Sequence, residues 1–546
     1  MSVRCQLGGS VPQWPRAADS KRKRSVPHDG AMGLSAVPTF AQRWHRATRA
    51  AGDRPFLVWE GSDGEARQWS YVEFGELVGE VAGFLASRGV KRGDAVHVAL
   101  ANSPAFVAVW LAVTVLGATL VPSDPEASAR ELADCMRRTR AVVGVGSVRR
   151  AARYREAAMG QPSLHVALVD EDDTVLSPIR PGRPGSGTLP ATPPGPGQRL
   201  AIMFTSGTTS QPKGVVLTQA NYAFTGDVMA AAAGLGPDDR QLVALPMFHA
   251  NAQYYSFAAA ISVGASVALL SRFSASRFAG QAARHQATHA SLFAAPIRMI
   301  LARSPGGQGG HRLRHCWFAQ NLTAAQYDDI TRLLGCRPRQ LYGMTETGPA
   351  VITSHPLEAA ADVMGTVTPG CAVELRDPGT GAGVTHDEVG EIVVGGERGH
   401  QVFAGYLDDP DTTERAFDGG WFRTGDLARV DDEGRFRFAG RRGDVLKVSG
   451  ENVSVVEVES VLAAHPSVFE AAVVGEPDPV RDEVPVAYVV LHATASGVRA
   501  EELGAWCAAR LSPAKRPREI RFVPELPRTS VGKIRKFLLA EGRPRP

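Results

Sequence analysis

Short strand-like runs alternate with helical segments along most of this chain. Residues 71–88 have helical spacing, whereas residues 95–100 and 141–146 are short runs rich in valine. Strands that alternate with helices of about 10 to 15 residues form βαβ units, whose strands lie mostly parallel. The sequence therefore predicts an α/β fold, and its 546 residues predict two or more domains.

Two long apolar runs, residues 105–121 and 256–270, are candidates for membrane insertion. Both are shorter than the roughly 18 to 20 apolar residues that a spanning helix needs. Each is also interrupted by a glycine, Gly117 in the first run and Gly264 in the second. We therefore predict a buried helix that turns at the glycine into a buried strand, and no membrane span.

The charge of the chain argues against a general nucleic-acid binder. The net charge is +4, and residues 1–32 account for all of it with six basic and two acidic side chains. Binding to nucleic-acid phosphates needs a surplus of Lys and Arg on one face, and the rest of the chain is balanced. We expect residues 1–36 to form a disordered, solvated tail.

The cysteines suit neither a zinc site nor a disulfide framework, because they lie far apart and form no C-x-x-C pair. We expect reduced thiols, as is usual in the cytoplasm. The basic start is not followed by the apolar stretch of a secretory signal, so the predicted location is cytoplasmic. The cysteines are Cys5, Cys135, Cys316, Cys336, Cys371 and Cys507.

The most informative segment is LAIMFTSGTTSQPKGVVLT, residues 200–218, which follows a connector rich in Pro and Gly at residues 177–198. An apolar strand leads into a loop of small and hydroxyl residues, which lets backbone N–H groups approach phosphate oxygens. It is not a Walker A loop, because Pro212 stands where that motif has glycine. The predicted phosphate-binding residues are Thr205, Ser206, Gly207, Thr208, Thr209 and Lys213.

Together with four later segments, FTSGTTSQPKGV resembles the motifs of the adenylate-forming superfamily, which contains acyl-CoA synthetases, luciferases and peptide-synthetase adenylation domains. The resemblance spans residues 37 to 540. The sequence of residues 450–490 is similar to that of CoA ligases. The segments FHANAQ and CWFAQNLT resemble the carnitine/crotonobetaine-CoA ligase branch. The four later segments are LPMFHANAQ (245–253), LYGMTETG (341–348), WFRTGDLARVDDEGRFRFAGRRGD (421–444) and LPRTSVGKIRK (526–536).

The resemblance implies a fold and a domain division. It implies a large N-terminal α/β domain, residues 37–442, with sheets flanked by helices and a small barrel-like part. A small, mobile α+β domain, residues 443–546, would follow.

The resemblance also implies the ATP site. Tyr342 would stack on adenine, and Asp426 would accept hydrogen bonds from the ribose hydroxyls with Arg441 beside it. Thr345 would bond the α-phosphate, and Glu346 would bind Mg²⁺, which typically takes one or two carboxylates plus phosphate oxygens. Outside these motifs, each would be an ordinary core or surface residue.

For catalysis, the family pattern assigns Lys533 to bridge the substrate carboxylate and the α-phosphate, where two anions must be held together. It makes His249 a gate that closes the acid pocket and later admits a thiol. Where relatives often have Gly-Ala-Pro, this chain has Phe-Ala-Gln-Asn, which changes the pocket's shape. The implied pocket residues, besides His249, are Asn251, Gln253, Phe318, Ala319, Gln320 and Leu341.

In the second step coenzyme A attacks the adenylate, and the family rotates its C-terminal domain to form a pantetheine tunnel. No Ser or Cys nucleophile is needed, because the acyl-adenylate is already a strong electrophile. At the hinge, Gly443 replaces the usual Asp or Lys, so neither orientation is favoured by a local side chain, and we expect unbalanced half-reactions. The implied hinge and tunnel residues are Gly443, Lys447, Gly450 and Glu451.

Three classes of function remain open from the sequence. The first is a two-step ligase that uses ATP, Mg²⁺ and coenzyme A on a small carboxylic acid. The second is a relative that performs mainly one half-reaction or passes the acyl group to a carrier protein. The third is a non-enzymatic nucleotide-binding protein, which the presence of Lys213, Glu346, Asp426 and Lys533 disfavours. The identity of the acid is not predicted.

Overall fold

The computed structural model describes most of the chain as four β-sheets with helices packed around them. The described residues are 37–180, 192–205, 212–303, 310–442, 445–448, 451–478, 481–493, 495, 497–528 and 534–541. The tail predicted for residues 1–36 lies outside them.

Helices begin and end where the sequence supplies caps. Before Tyr71–Ser87, for example, the Ser70 hydroxyl accepts from the Glu73 amide while the Glu73 carboxylate accepts from the Ser70 amide. Across the described residues the α-helices are Phe40–Ala51, Tyr71–Ser87, Pro104–Leu116, Ala129–Thr139, Ala151–Ala158, Gln219–Ala233, Ala259–Val263, Phe278–Arg284, Ala294–Arg303, Ala324–Leu334, Pro410–Arg415, Val455–Ala463, Ala500–Ala508 and Lys536–Glu541. Asn251–Ala258 is a π-helix, and Val148–Arg150, Ser177–Ile179, Thr345–Thr347 and Pro513–Lys515 are 3₁₀ turns.

Two largely parallel sheets make up the bulk of the chain, as the alternating pattern predicts. The described strands of the first are, in spatial order, Thr366–Val367, Ile352–Thr353, Arg339–Tyr342, His315–Ala319, His289–Phe293, Arg240–Val243, Ser266–Leu270, Pro55–Glu60 and Ala66–Ser70. Those of the second are Gly405–Tyr406, Lys213–Thr218, Arg199–Thr205, Thr119–Pro122, Ala95–Ala99, Val143–Ser147 and His165–Val169. One continuous apolar core joins them.

The remaining two sheets are smaller and mostly antiparallel. The third, the barrel-like part, contains Ala372–Arg376, Gly390–Gly395, Trp421–Val430, Phe417–Asp418 and Phe436–Arg441. The fourth lies at the C-terminus and contains Glu451–Ser454, Val445–Val448, Asp482–Leu491, Val468–Asp478 and Glu519–Phe522. Its apolar core is separate from the large one, as expected of a small second domain.

Both long apolar runs fold as predicted. Pro104–Leu116 is a buried helix that ends at Gly117, whose φ of 68° is left-handed, and the buried strand Thr119–Pro122 follows. Gly264, with φ of 74°, similarly separates a helix from the strand Ser266–Leu270. Within the described ranges, no helix combines the length and hydropathy required to cross a bilayer.

The cysteines within the described residues are free thiols, as predicted, and burial raises the pKa of each. They are Cys135, Cys316, Cys336, Cys371 and Cys507. Cys5 lies outside the described residues.

Candidate active site

Several predicted site segments meet at one edge of the first sheet. The strands Arg240–Val243, His315–Ala319 and Arg339–Tyr342 all belong to it and run parallel. The motif residues 245–253, 318–321 and 342–346 lie at or directly after the carboxyl ends of these strands. In open α/β sheets this edge is where ligands bind.

The predicted phosphate loop connects two strands of the second sheet. Arg199–Thr205 and Lys213–Thr218 are antiparallel, with Thr205 directly opposite Lys213. Ser206, Gly207, Thr208 and Thr209 lie outside the described residues. The antiparallel pair therefore places Thr205 and Lys213 at the two ends of the loop.

Arg138, which the sequence analysis did not select, contacts both ends of this loop. Its guanidinium lies 4.7 Å from the centroid of the Phe204 ring and donates to the Pro212 carbonyl at 2.7 Å. Phe204 precedes the loop and Pro212 follows it, so one side chain fixes both ends. Arg138 is remote in sequence from every motif and comes from the helix Ala129–Thr139.

Glu346 is buried beside two other polar side chains of the site. The Tyr406 hydroxyl donates to its Oε1 at 3.2 Å, and the Lys213 Nζ lies 4.9 Å from the centroid of the Tyr406 ring. Burial raises the pKa of the Glu346 carboxyl, while the Tyr406 hydroxyl and the charges of Lys213 and Arg441 oppose that shift. Tyr406 belongs to none of the sequence motifs, because a single tyrosine after a glycine forms no recognisable pattern with its neighbours.

Tyr342, Asp426 and Arg441 form a hydrogen-bonded group. Asp426 and Arg441 are paired residues on neighbouring antiparallel strands, and the Arg441 Nε donates to Asp426 Oδ1 at 2.8 Å. The Tyr342 hydroxyl donates to the other carboxylate oxygen at 2.9 Å. The Asp426 carboxylate is buried, with a side-chain exposure of 5%. The fold thus brings together three residues that lie far apart in sequence.

The residues around His249 fall into two kinds. Gln253 is fully buried, and its amide is used within the protein: it accepts from the Tyr222 hydroxyl and donates to the Met247 carbonyl, both at 2.7 Å. Asn251 is 6% exposed, yet neither its Oδ1 nor its Nδ2 has a hydrogen-bond partner among the described residues. The Gln253 amide therefore stabilises the protein itself, whereas the Asn251 amide is available to bind a ligand.

Asn251 opens the π-helix Asn251–Ala258, which packs against the turn of the YGMTE motif. The Tyr254 hydroxyl donates to the Thr345 carbonyl at 3.4 Å. A β-carbon at Gly343 would lie 2.9 Å from the Tyr255 hydroxyl, so this contact requires glycine. Thr345 itself lies in the turn Thr345–Thr347 beside Glu346. The His249 segment and the nucleotide motif are therefore in direct contact.

The remaining pocket candidates are divided by the alternation of strand His315–Ala319. Phe318 is fully buried and packs with Tyr327 in a different apolar cluster from the one that Ala319 and Leu341 contact. Successive side chains of a strand point to opposite faces, so Phe318 and Ala319 do not share a pocket wall. Gln320 is exposed and has a φ of +73°, a strained value for a residue that is not glycine.

The predicted hinge and tunnel residues lie at the start of the C-terminal sheet. Lys447 and Glu451 occupy neighbouring antiparallel strands, in which Val448 pairs with Glu451. Gly443, Gly450 and Lys533 lie outside the described residues, so their assigned roles stay predictions.

Comparisons with known proteins show which family the chain resembles over most of its length. The family described as AMP-binding enzyme matches residues 44–407, and the AMP-binding enzyme C-terminal domain matches residues 457–533. The chain is 33% identical over 515 residues to crotonobetaine/carnitine–CoA ligase of Salmonella paratyphi A, with 92% of this chain and 99% of the relative covered.

Solved structures give the same result. An anthranilate CoA ligase in complex with anthranoyl-AMP superposes with a TM-score of 0.84 at 26% identity, covering 93% of this chain and 98% of that one. A benzoate CoA ligase from Burkholderia xenovorans LB400 superposes with a TM-score of 0.83 at 25% identity, covering 92% and 100%. The chain therefore belongs to the AMP-binding, adenylate-forming enzymes and, within them, to the acyl-CoA ligases.

Proposed function

We propose that this ligase activates a small carboxylic acid bearing a polar group and transfers the acyl group to coenzyme A. The observation that carries the adenylation step is the buried Asp426 carboxylate, hydrogen-bonded by Tyr342 and Arg441. Glu346, which is buried, and Lys213 lie on the phosphate side of the same site. Together these residues offer a carboxylate for ribose, an aromatic ring for adenine and a lysine for phosphate.

In the first step a carboxylate oxygen of the acid forms a bond to the α-phosphorus of ATP. The bond from that phosphorus to the bridging oxygen breaks, and pyrophosphate leaves. All reacting groups are anionic, so positive charges held in place supply most of the catalysis. We assign that role to Lys213 at the phosphate loop and to Lys533 at the reacting centre, with Thr345 donating to the α-phosphate.

Mg²⁺ fits at Glu346. Across the described ranges no three His, Cys, Asp or Glu side chains cluster as a metal site. A single buried carboxylate suits Mg²⁺, because this ion takes one or two carboxylates and fills its remaining positions with phosphate oxygens and water. Glu346 would hold the ion, which would supply positive charge to balance the phosphate oxygens.

In the second step the sulfur of coenzyme A attacks the acyl carbon, the thiol proton is lost and AMP leaves. We assign the approach of the thiol to the His249 side and to the strands that carry Lys447 and Glu451. A carrier-protein thiol has the same reactive end as coenzyme A. Competition between free coenzyme A and carrier proteins for the preformed adenylate separates these acceptors.

Asp426 provides a test of the nucleotide site. Asp426→Ala should weaken ATP and acyl-adenylate binding together, by about 1 to 3 kcal/mol each, because both ligands carry the same ribose and lose the same acceptor. Calorimetry with ATP and with a non-hydrolysable adenylate analogue measures both. Glu171→Ala is the control, since this buried carboxylate pairs with Arg150 and belongs to none of the site segments. Unchanged affinity of Asp426→Ala for both ligands would remove Asp426 from the site.

Asn251 provides a test of substrate class. Its buried amide has no partner among the described residues, so we expect it to donate to and accept from a polar group on the acid. Asn251→Leu should lower kcat/KM for polar acids by about 10- to 100-fold relative to their apolar isosteres, the scale of one buried hydrogen-bonded group. The free energy of unfolding should not fall, because no protein hydrogen bond is lost.

Gln253→Leu is the matched control for Asn251→Leu, two residues away on the same π-helix. It should lower the free energy of unfolding, because it leaves the Tyr222 hydroxyl and the Met247 carbonyl without their partner. Thermal unfolding of both variants, with an acid panel, makes the comparison. Equal losses on polar and apolar acids in Asn251→Leu would contradict the assignment.

A further inference from the structure

Three charged side chains lie at a contact between the two parts of the chain. Arg298 belongs to the helix Ala294–Arg303 of the large part, and Glu470 to the strand Val468–Asp478 of the C-terminal sheet. The Arg298 Nη1 donates to Glu470 Oε1 at 3.0 Å, and Arg528 pairs with Glu470 Oε2. Glu470 has a side-chain exposure of 6%, so the carboxylate is enclosed by the two arginines.

Each end of this triad leads to a part of the active site. On one side, the Arg298 Nη2 donates to the Asn321 carbonyl at 3.2 Å, and Asn321 follows the strand end that carries Ala319. The Asn321 Oδ1 also accepts from the Gln340 Nε2 at 2.9 Å. Gln340 lies on the neighbouring strand, Arg339–Tyr342, which ends at Tyr342. Arg298, the member of the triad that belongs to the large part, is thus hydrogen-bonded to the sheet edge that carries the candidate site.

On the other side, Arg528 belongs to the base of the segment that contains Lys533. Arg528 forms an isolated antiparallel bridge with Ile534, and the Arg535 amide donates to the Pro527 carbonyl at 2.7 Å. In the sequence, residues 529–533 lie between the two bridge residues, and Lys533 directly precedes Ile534. Arg528 and Ile534 are therefore the described residues on either side of the segment that contains Lys533.

We propose that Arg298, Glu470 and Arg528 form an interdomain ion-pair latch that holds the C-terminal domain in the adenylation orientation. Arg298 is a positioning residue for Lys533 and acts through Glu470 and Arg528. The proposal rests on the proposed function, because it assumes that Lys533 serves adenylation. It adds a specific contact that must break before the domain rotates for thioester formation.

The charges make the carboxylate the critical member. Burial lowers the pKa of Arg298, Glu470 opposes this shift, and the positive charge of Arg528 adds to it. Without the carboxylate, two guanidinium groups would face each other in a site that excludes much of the water, where repulsion between like charges is strong. A variant that removes the charge of Glu470 should therefore disturb the latch more than one that removes Arg298.

The test measures the two half-reactions separately in the full-length enzyme. Adenylation is followed by acid-dependent exchange of labelled pyrophosphate into ATP, and thioester formation by reaction of synthetic acyl-adenylate with coenzyme A. Glu470→Gln should lower the ratio of adenylation rate to thioester rate by at least tenfold. Arg298→Met should lower it less, and the double variant should recover part of the loss of Glu470→Gln, because the repulsion between arginines is gone.

Glu476→Gln is the matched control. Glu476 lies on the same strand and pairs with Arg521 inside the C-terminal domain, so its loss affects that domain without touching the large one. It should leave the rate ratio unchanged. Equal loss of both half-reactions in Glu470→Gln, or an additive double variant, would overturn the latch. A wild-type enzyme without exchange for any acid would instead refute the proposed function.

Discussion

Replacement of Lys533 by alanine should lower the rate of adenylation by about two to three orders of magnitude, the effect of removing one preorganised charge from a transition state. The lysine is expected to bridge the substrate carboxylate and the α-phosphate, two anions that repel each other as they approach. Thioester formation from supplied adenylate should survive, because that step takes place after the C-terminal domain has rotated. Pyrophosphate exchange and thioester formation, measured separately, give the two rates.

Lys536→Ala is the matched control for this experiment. Lys536 lies in the same C-terminal segment, and its Nζ pairs with Glu459 at 2.7 Å inside the C-terminal domain. Its removal deletes an equal charge from the same region without deleting the proposed catalytic group, so adenylation should stay within a few-fold of wild type. Equal loss of both half-reactions in Lys533→Ala would refute the role of Lys533.

Glu346→Gln should reduce adenylation by about 10²- to 10³-fold at low Mg²⁺, again the scale of one charge at the transition state. Glutamine keeps an oxygen for the Tyr406 hydroxyl but removes the negative charge that would bind the metal. Excess Mg²⁺ should restore part of the rate, because phosphate oxygens still bind the ion. Initial rates of pyrophosphate exchange across a Mg²⁺ titration measure both effects.

The Mg²⁺ requirement should also depend on pH. Burial raises the pKa of the Glu346 carboxyl, so its protonated form persists to higher pH than that of an exposed glutamate. Protons and Mg²⁺ then compete for the carboxylate, and the Mg²⁺ concentration for half-maximal rate should rise as pH falls through that raised pKa. Glu346→Gln should lose this dependence, while Glu391→Gln, which loses a buried carboxylate paired with Arg423, should keep it. Parallel pH dependences in wild type and Glu346→Gln would argue against the metal role.

The sequence predicts the fold well because its signals are local. Gly117 and Gly264 end their helices through left-handed φ values that glycine adopts without strain, so their place in an apolar run indicates the turn directly. The strand and loop order around residues 200–218 similarly follows from the hydropathy of adjacent residues.

The predicted ATP site depends on a different kind of signal. Nothing in the spacing of Tyr342, Asp426 and Arg441 shows that they touch, and only the motif resemblance brought them together. The structure supplies the contacts, since Asp426 and Arg441 face each other across a strand pair and Tyr342 reaches the same carboxylate. Sequence motifs name such residues but give no distances.

The sequence could not predict the site residues that depend on contacts between distant segments. Arg138 and Tyr406 contact the predicted phosphate-loop ends and Glu346, respectively, from segments without a motif. Gln253 and Asn251 look equivalent as polar pocket residues, but the structure gives the Gln253 amide two protein partners and leaves the Asn251 amide without any among the described residues. Only packing determines which polar groups are already used and which can still bind a substrate.

The most direct test of the account is acid-dependent exchange of labelled pyrophosphate into ATP in the absence of coenzyme A, followed by product analysis once coenzyme A is added. An AMP-forming acyl-CoA ligase should show exchange with a polar carboxylic acid and should then release AMP and acyl-CoA in equal amounts. Thioester formation that produces ADP and phosphate, or that proceeds without pyrophosphate exchange, would contradict the two-step adenylate mechanism.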